Sequence, residues 1–332
     1  MSARTRVLLI AGLAAAVAVG VIVGGTLLQS RSSDTGGAAA NGAVTKPRAG
    51  APPLVLSFGV RTDPEARALA RAASLYNAKQ RAAAGRIFAR YHSLDAQIGS
   101  AFAAWPHGGL DALKALVASN PGSALAELHL GYAYLWSGRN ADALGAWRQA
   151  AKVEPDSSAA VSASDLLHPG FVPGLPPIIT TLQPPEAVMA LAPPQEIAAL
   201  KRAAGRPDAN AKIVYGVALW NLRRPVSAER QFRAAAALAP NDPMALTAAA
   251  VGSFSKARPV LAFSRLGPLT GRFPRSSLVR FHLGVLLIWS QEVAKARRQL
   301  GLAISLDPSS QYAVQAKRLL TALGVTGTKQ RK

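Results

Sequence analysis

Prolines punctuate the C-terminal two thirds of this chain at a fixed interval. Pro121 and Pro155 stand 34 residues apart, and Pro240, Pro274 and Pro308 repeat that interval twice. A constant period of this length marks stacked units, each too small to bury its own apolar face without a neighbour. The two proline series are 85 residues apart, so one intervening unit is 17 residues longer than the rest. Two residues after each proline comes Ser123, Ser157, Asp242, Ser276 or Ser310. Each can accept a hydrogen bond from a free N–H at the start of a helix. The proline closes one unit and the cap opens the next.

The units share an internal pattern. The stretch 124–157 carries Leu130, Gly131 and Tyr134 early, then Ala143, Trp147 and Ala150. The stretch 209–242 matches with Tyr215, Gly216, Leu219, Ala228, Phe232 and Ala235, and 277–310 with Leu283, Gly284, Leu287, Ala296, Leu300 and Ala303. The stretch 243–276 is looser, with Ala249, Ala250, Ser253, Ala262, Leu266 and Leu269. The run from His129, HLGYAYLWSGRNADALGAWRQAAKVEPDS, resembles the tetratricopeptide repeat (TPR) family. The resemblance implies an all-α superhelix of stacked helix pairs over about residues 54–323. Within a pair, small residues such as Gly131 and Ala143 are expected to face each other where the helices cross. Pro225 and Pro259 fall in the expected first turn of a second helix, where a missing N–H costs nothing.

Residues 90–123 and 63–90 fit as weaker pairs, with Pro64 as a start signal. The long unit, 158–208, holds Pro169, Pro173, Pro176, Pro177, Pro184 and Pro185, which forbid a long helix. A helix over 158–167, a proline-rich excursion to about Pro194 and a second helix are expected. Phe171, Val172, Leu175, Ile178 and Ile179 suggest that the excursion packs onto the helices. An amphipathic helix over 310–323 is expected to shield the last apolar surface, ahead of a basic tail, 324–332.

Upstream, residues 7–28 are uncharged and span about 33 Å as a helix, enough for a bilayer core of about 30 Å. The run exceeds the roughly 7–15 apolar residues of a secretory signal. It reads as a single transmembrane anchor behind a short tail, 1–6. Arg4 and Arg6 favour an N-terminus in the cytoplasm and a solenoid outside it. The alanine- and arginine-rich composition points to a bacterium, and so to its cytoplasmic membrane. Gly20 and Gly24 form a GxxxG pair through which two membrane helices can pack as a dimer. Residues 29–53 read as a flexible linker.

The chemistry suggested by the rest is binding. There is no cysteine, which excludes disulfides, thiol nucleophiles and cysteine metal sites. None of the five histidines forms a metal-spaced pair, and no Walker loop, HExxH or GxSxG is present. Ser253 and Lys256 spell SxxK without its companion motifs. His129 and His282 occupy the same place in their units, each followed by Leu-Gly, which repeat structure explains. No catalytic, cofactor-binding or metal-binding residue is expected, and the chain reads as a non-enzyme. The net charge of +21 draws anions, acidic proteins among them. Nucleic acid is not expected as a partner of a domain outside the cytoplasm.

In TPR proteins the first helix of each pair lines a concave groove. Here that resemblance places Tyr132 and Trp136, Ile213, Val217 and Trp220, Phe254, and Phe281, Val285 and Trp289 along such a face. The wall is apolar and lacks the Lys, Arg and Asn of the family's carboxylate clamp. Either it grips a hydrophobic or amphipathic segment of a partner, or the chain fills it itself, for instance with the proline-rich excursion. The functional expectation is a membrane-anchored scaffold or assembly factor for protein or peptide partners. The alternatives are an accessory subunit of a membrane enzyme or secretion complex, such as cytochrome c maturation, or a cytoplasm-facing adaptor for acidic partners.

Overall fold

A computed structural model of the chain describes residues 46–329. The anchor expected at 7–28 and the Gly20/Gly24 pair lie outside them. Among the described residues no helix is long and apolar enough to cross a membrane. The described chain is helical and divides into two compact units at Leu167/His168.

The first unit contains α1 (Pro64–Asn77), α2 (Arg81–Phe88), α3 (Leu94–Ala103), α4 (Gly109–Ser119), α5 (Ala124–Trp136), α6 (Asn140–Val153) and α7 (Ser158–Leu167). These are three helix pairs and a closing helix. The second unit opens with α8 (Glu186–Met189) and α9 (Pro193–Ala204). Three pairs follow: α10 (Ala209–Asn221) with α11 (Pro225–Leu238), α12 (Pro243–Gly252) with α13 (Val260–Arg272), and α14 (Ser277–Trp289) with α15 (Val293–Leu306). The closing helix is α16 (Gln311–Lys329), longer than the expected 310–323.

The caps fall where the proline spacing puts them. Side-chain oxygens of Ser123, Ser157, Asp242, Ser276 and Ser310 accept from the N–H groups of Ala126, Ala160, Met244, Val279 and Ala313. Asp63 and Asp208 do the same for α1 and α10. Each bond satisfies a helix N–H that has no partner within the helix. Pro225 opens α11, whereas Pro259 sits one residue ahead of α13 as its cap.

The crossings differ in one respect from the expected pairing of small residues. Gly131 lies under the Trp147 ring, where a Cβ would come within 2.2 Å of Nε1. Gly216 meets Phe232 at 2.5 Å and Gly284 meets Leu300 at 2.8 Å in the same way. The glycine makes room for the large residue of the second helix. Gly99 and Gly252 repeat this against Phe88 and Phe232 from the following pair.

Two segment boundaries also need correction. The stretch 158–208 is not one expanded repeat. Its first helix, α7, closes the first unit, and its second, α9, belongs to the next. The linker assigned to 29–53 is exposed over residues 46–50 but packed on helices from Ala51, with Pro52 buried, as is Leu54 just beyond it.

Two strapped helical faces as the candidate functional site

In the first unit, residues 48–58 run without regular secondary structure across helices α1 and α5, with a bend at Ala49–Gly50. An extended segment makes no hydrogen bonds of its own, so its polar backbone must find partners elsewhere. Tyr76 Oη, on α1, donates to the Pro52 carbonyl at 2.7 Å, and Asn77 Nδ2 donates to the Leu54 carbonyl at 3.2 Å. The Val55 N–H donates to His129 Nε2 at 3.2 Å, and the Arg48 N–H to the Trp136 carbonyl at 2.9 Å. The Arg48 guanidinium lies 5.4 Å from the centre of the Trp136 ring, a cation–π arrangement.

The second unit is strapped by its own proline-rich segment, 171–182. The Val172 N–H donates to the Trp289 carbonyl at 3.0 Å. Trp220 Nε1 donates to the Pro176 carbonyl at 2.8 Å, and Trp289 Nε1 to the Gly174 carbonyl at 3.4 Å. The Ile179 N–H donates to His282 Nε2 at 3.0 Å. Phe171 packs edge-on to Phe254 with ring centroids 6.3 Å apart.

The two straps follow one plan. Arg48, Pro52, Leu54 and Val55 precede Val172, Pro176, Ile178 and Ile179 by a constant 124 residues. On the walls, His129 and Trp136 precede His282 and Trp289 by 153, and Tyr76 precedes Trp220 by 144. Gly50 and Gly174 hold φ of 80° and 81°, the left-handed region where only glycine is unstrained. The space around Gly50 is open, so its role is conformational.

Both histidines are wholly buried, and burial lowers the pKa of each to about 4. Their Nδ1 atoms lie 2.8 Å from the carbonyls of Leu125 and Leu278, one turn back on the same helix. A carbonyl can only accept, so Nδ1 carries the proton and Nε2 offers its lone pair to the strap. The neutral imidazole is the form that fits both partners. Phe102 sits edge-on to His129 at 5.3 Å and Phe281 to His282 at 5.0 Å.

The residues assigned to a partner groove divide between the units and are largely covered. Tyr132 and Trp136 lie on α5, buried and half-buried. Ile213 and Trp220 on α10, Phe254 after α12, and Phe281, Val285 and Trp289 on α14 are all buried, while Val217 is half-buried. Phe281 packs on Tyr312 of the closing helix, 5.9 Å between centroids. They do not line an open groove: the chain occupies the space. Trp136, Trp220 and Trp289 do share a task, since each hydrogen-bonds a strap.

The packing of the proline-rich excursion onto the helices is as its apolar residues imply, whereas the first strap and the two histidines as holders carry no such sign. The signal that identifies the straps is Gly50-Ala-Pro-Pro-Leu-Val55 against Gly174-Leu-Pro-Pro-Ile-Ile179. Ser253, of the SxxK pair, donates its hydroxyl to the Ala250 carbonyl at 2.7 Å. Among the described residues, no group of three or more His, Asp or Glu side chains could hold a metal ion.

No family model and no curated protein matches this chain. Among solved structures it is similar to YrrB, a TPR protein with an unusual peptide-binding site, at 17% identity and a TM-score of 0.31. That match covers 63% of this chain and 99% of YrrB. It is also similar to the C-terminal part of a TPR repeat-containing protein from Cytophaga hutchinsonii, at 12% identity and a TM-score of 0.25. This second match covers 75% of this chain and 98% of that one. The paired helices, caps and crossings described above make an all-α helical-repeat fold.

Proposed function

We propose that this chain is an interaction scaffold whose two TPR-like units bind extended segments of protein partners. The observation that carries this reading is the pair of helical faces, each hydrogen-bonded to a strap along its backbone. Main-chain pairing with pockets for alternate side chains is a general way in which proteins hold peptides. YrrB has a peptide-binding site of its own. The scaffold is held at the cytoplasmic membrane by residues 7–28, with its helical units on the outer face. The uncharged run and Arg4 and Arg6 support that placement.

Crosslinking in intact membranes, followed by recovery through a C-terminal tag, tests the scaffold role. One or a few discrete protein partners are expected. A chain that crosslinks only to lipid and to itself contradicts the role.

A further inference from the structure

The positive charge is not shared evenly between the units. Residues 168–329 hold 20 Lys and Arg against 7 Asp and Glu, whereas residues 46–167 hold 13 against 9. The surplus therefore belongs to the second unit, and the second helices of its pairs display it. On α11, Val226, Arg230 and Arg233 are exposed at steps of four and three residues, so they form one stripe of the helix. On α15, Arg298, Leu302 and Leu306 are exposed at steps of four. On α13, Val260 is 72% exposed, with Leu261 beside it and Arg265 one turn further on.

These stripes stand in one row. Val226 and Val260 are one repeat of 34 residues apart, and Arg230 and Arg298, like Leu238 and Leu306, are two repeats apart. Residues a whole number of repeats apart take the same place on stacked pairs. Two contacts join α13 to its neighbour in the row. Arg265 Nη1 lies 3.7 Å from the Glu229 carboxylate on α11, and Arg272 Nη2 donates to the Pro240 carbonyl at 2.9 Å. Arg230, Arg233 and Arg298 form no ion pair among the described residues. Of the nine large hydrophobic side chains exposed among the described residues, eight stand on α11, α13, α15 and α16, and all nine are aliphatic. Bare aliphatic groups and unpaired cations thus share one surface.

We infer that the outer row of α11, α13 and α15 is a membrane-contact surface that lays the second unit against anionic lipid headgroups. The arginines meet the phosphates, while Val226, Val260, Leu261 and Leu302 enter the boundary between headgroups and acyl chains. Charge complementarity selects an anionic partner, and the aliphatic groups select among anions. A nucleic acid engages cations and stacks its bases on aromatic rings, and none of the exposed large hydrophobic side chains is aromatic. An acidic protein segment satisfies the arginines but has no carboxylate to spare for the aliphatic groups. A lipid surface offers both layers at once, and a row of helices meets it over a broad area. The inference goes beyond the scaffold role and concerns a second contact with the membrane in which residues 7–28 are placed.

The chain has no cysteine, so Val260→Cys supplies a single labelling site. The full chain, carrying an environment-sensitive fluorophore there, is placed in nanodiscs of phosphatidylcholine or of equal parts phosphatidylcholine and phosphatidylglycerol. Blue-shifted emission is expected in the anionic discs alone. Arg230→Glu/Arg233→Glu/Arg298→Glu should abolish that shift. If this variant loses its helical circular dichroism, about 1 M salt takes its place, because the screening length is then about 3 Å. The same emission in both discs, or a shift that survives both charge reversal and salt, overturns the inference. So does an equal shift at Leu144→Cys on α6, which marks unlocalised attraction. Duplex DNA and polyglutamate are added to the chain in neutral discs. A response to either, without one to anionic discs, makes the occupant a nucleic acid or an acidic protein and overturns the inference. A chain that stays out of neutral discs refutes the anchor at 7–28. The shift is then read on added phosphatidylglycerol vesicles, where its presence supports the surface and its absence overturns it. Crosslinked protein partners are scored apart from these outcomes, so the scaffold role fails or stands separately.

Discussion

At the residue scale, the smallest and the most buried side chains set the terms. Gly131 exists to admit Trp147, whose Nε1 donates to the Leu128 carbonyl at 3.2 Å and so cannot swing away without losing that bond. Gly131→Ala should lower stability by about 1–3 kcal/mol through overpacking. An unchanged melting temperature would show that the ring moves freely. His129 and His282 should make stability depend on pH. In the unfolded chain an imidazole takes up its proton near pH 6.5, whereas in the folded chain burial delays this to about pH 4. Between those values the unfolded state binds more protons, so stability is full above pH 6.5 and falls as pH drops toward 4. The loss is on the order of 3 kcal/mol per histidine. Carboxylates add their own loss at lower pH, so the comparison that matters is with His129→Gln/His282→Gln. Urea unfolding from pH 7.5 to 5 should be flatter for the double variant than for the native chain. Equal slopes would mean that the rings are not held neutral.

At the scale of elements, helices were legible, the second strap was legible as a packed excursion, and the first strap was not. Proline at a 34-residue interval followed by a cap residue is local information, and it located the helices that open at Ala124, Pro243, Ser277 and Gln311. Helix hydrogen bonds close within a few residues, so their sequence signs lie close together. A strap has no such period. Val55 finds His129 across 74 residues, and Ile179 finds His282 across 103. Residues 46–53 therefore read as a linker, rich in glycine, alanine and proline, although the walls hold them. Local signs likewise left open whether Trp220 faced a partner or was covered by the chain itself. It is 2% exposed, packs edge-on to Phe232 and holds the Pro176 carbonyl. Trp220→Ala should cost about 3–5 kcal/mol in urea unfolding and free the second strap to exchange. A loss below about 1 kcal/mol would place the indole outside the core.

At the scale of the whole molecule, one plan is used twice: a strap, three helix pairs and a closing helix, with α8 and α9 added to the second copy. Each unit thus covers one face of its helices with a segment of the same chain. The expected anchor sets where the units work. A reporter active only outside the cytoplasm, fused after Lys332, should function in intact cells. An inactive outside reporter together with an active cytoplasmic one would reverse the orientation drawn from Arg4 and Arg6. The strapping itself is most directly measured by amide hydrogen exchange of the native chain at pH 7. Val55 and Ile179 lie outside regular helix, so only their bonds to His129 and His282 slow them. Both amides should exchange at least about a thousandfold more slowly than in free peptides of the same sequence, as amides closed by a cooperative unit do. Exchange at the free-peptide rate at both positions would contradict strapped faces.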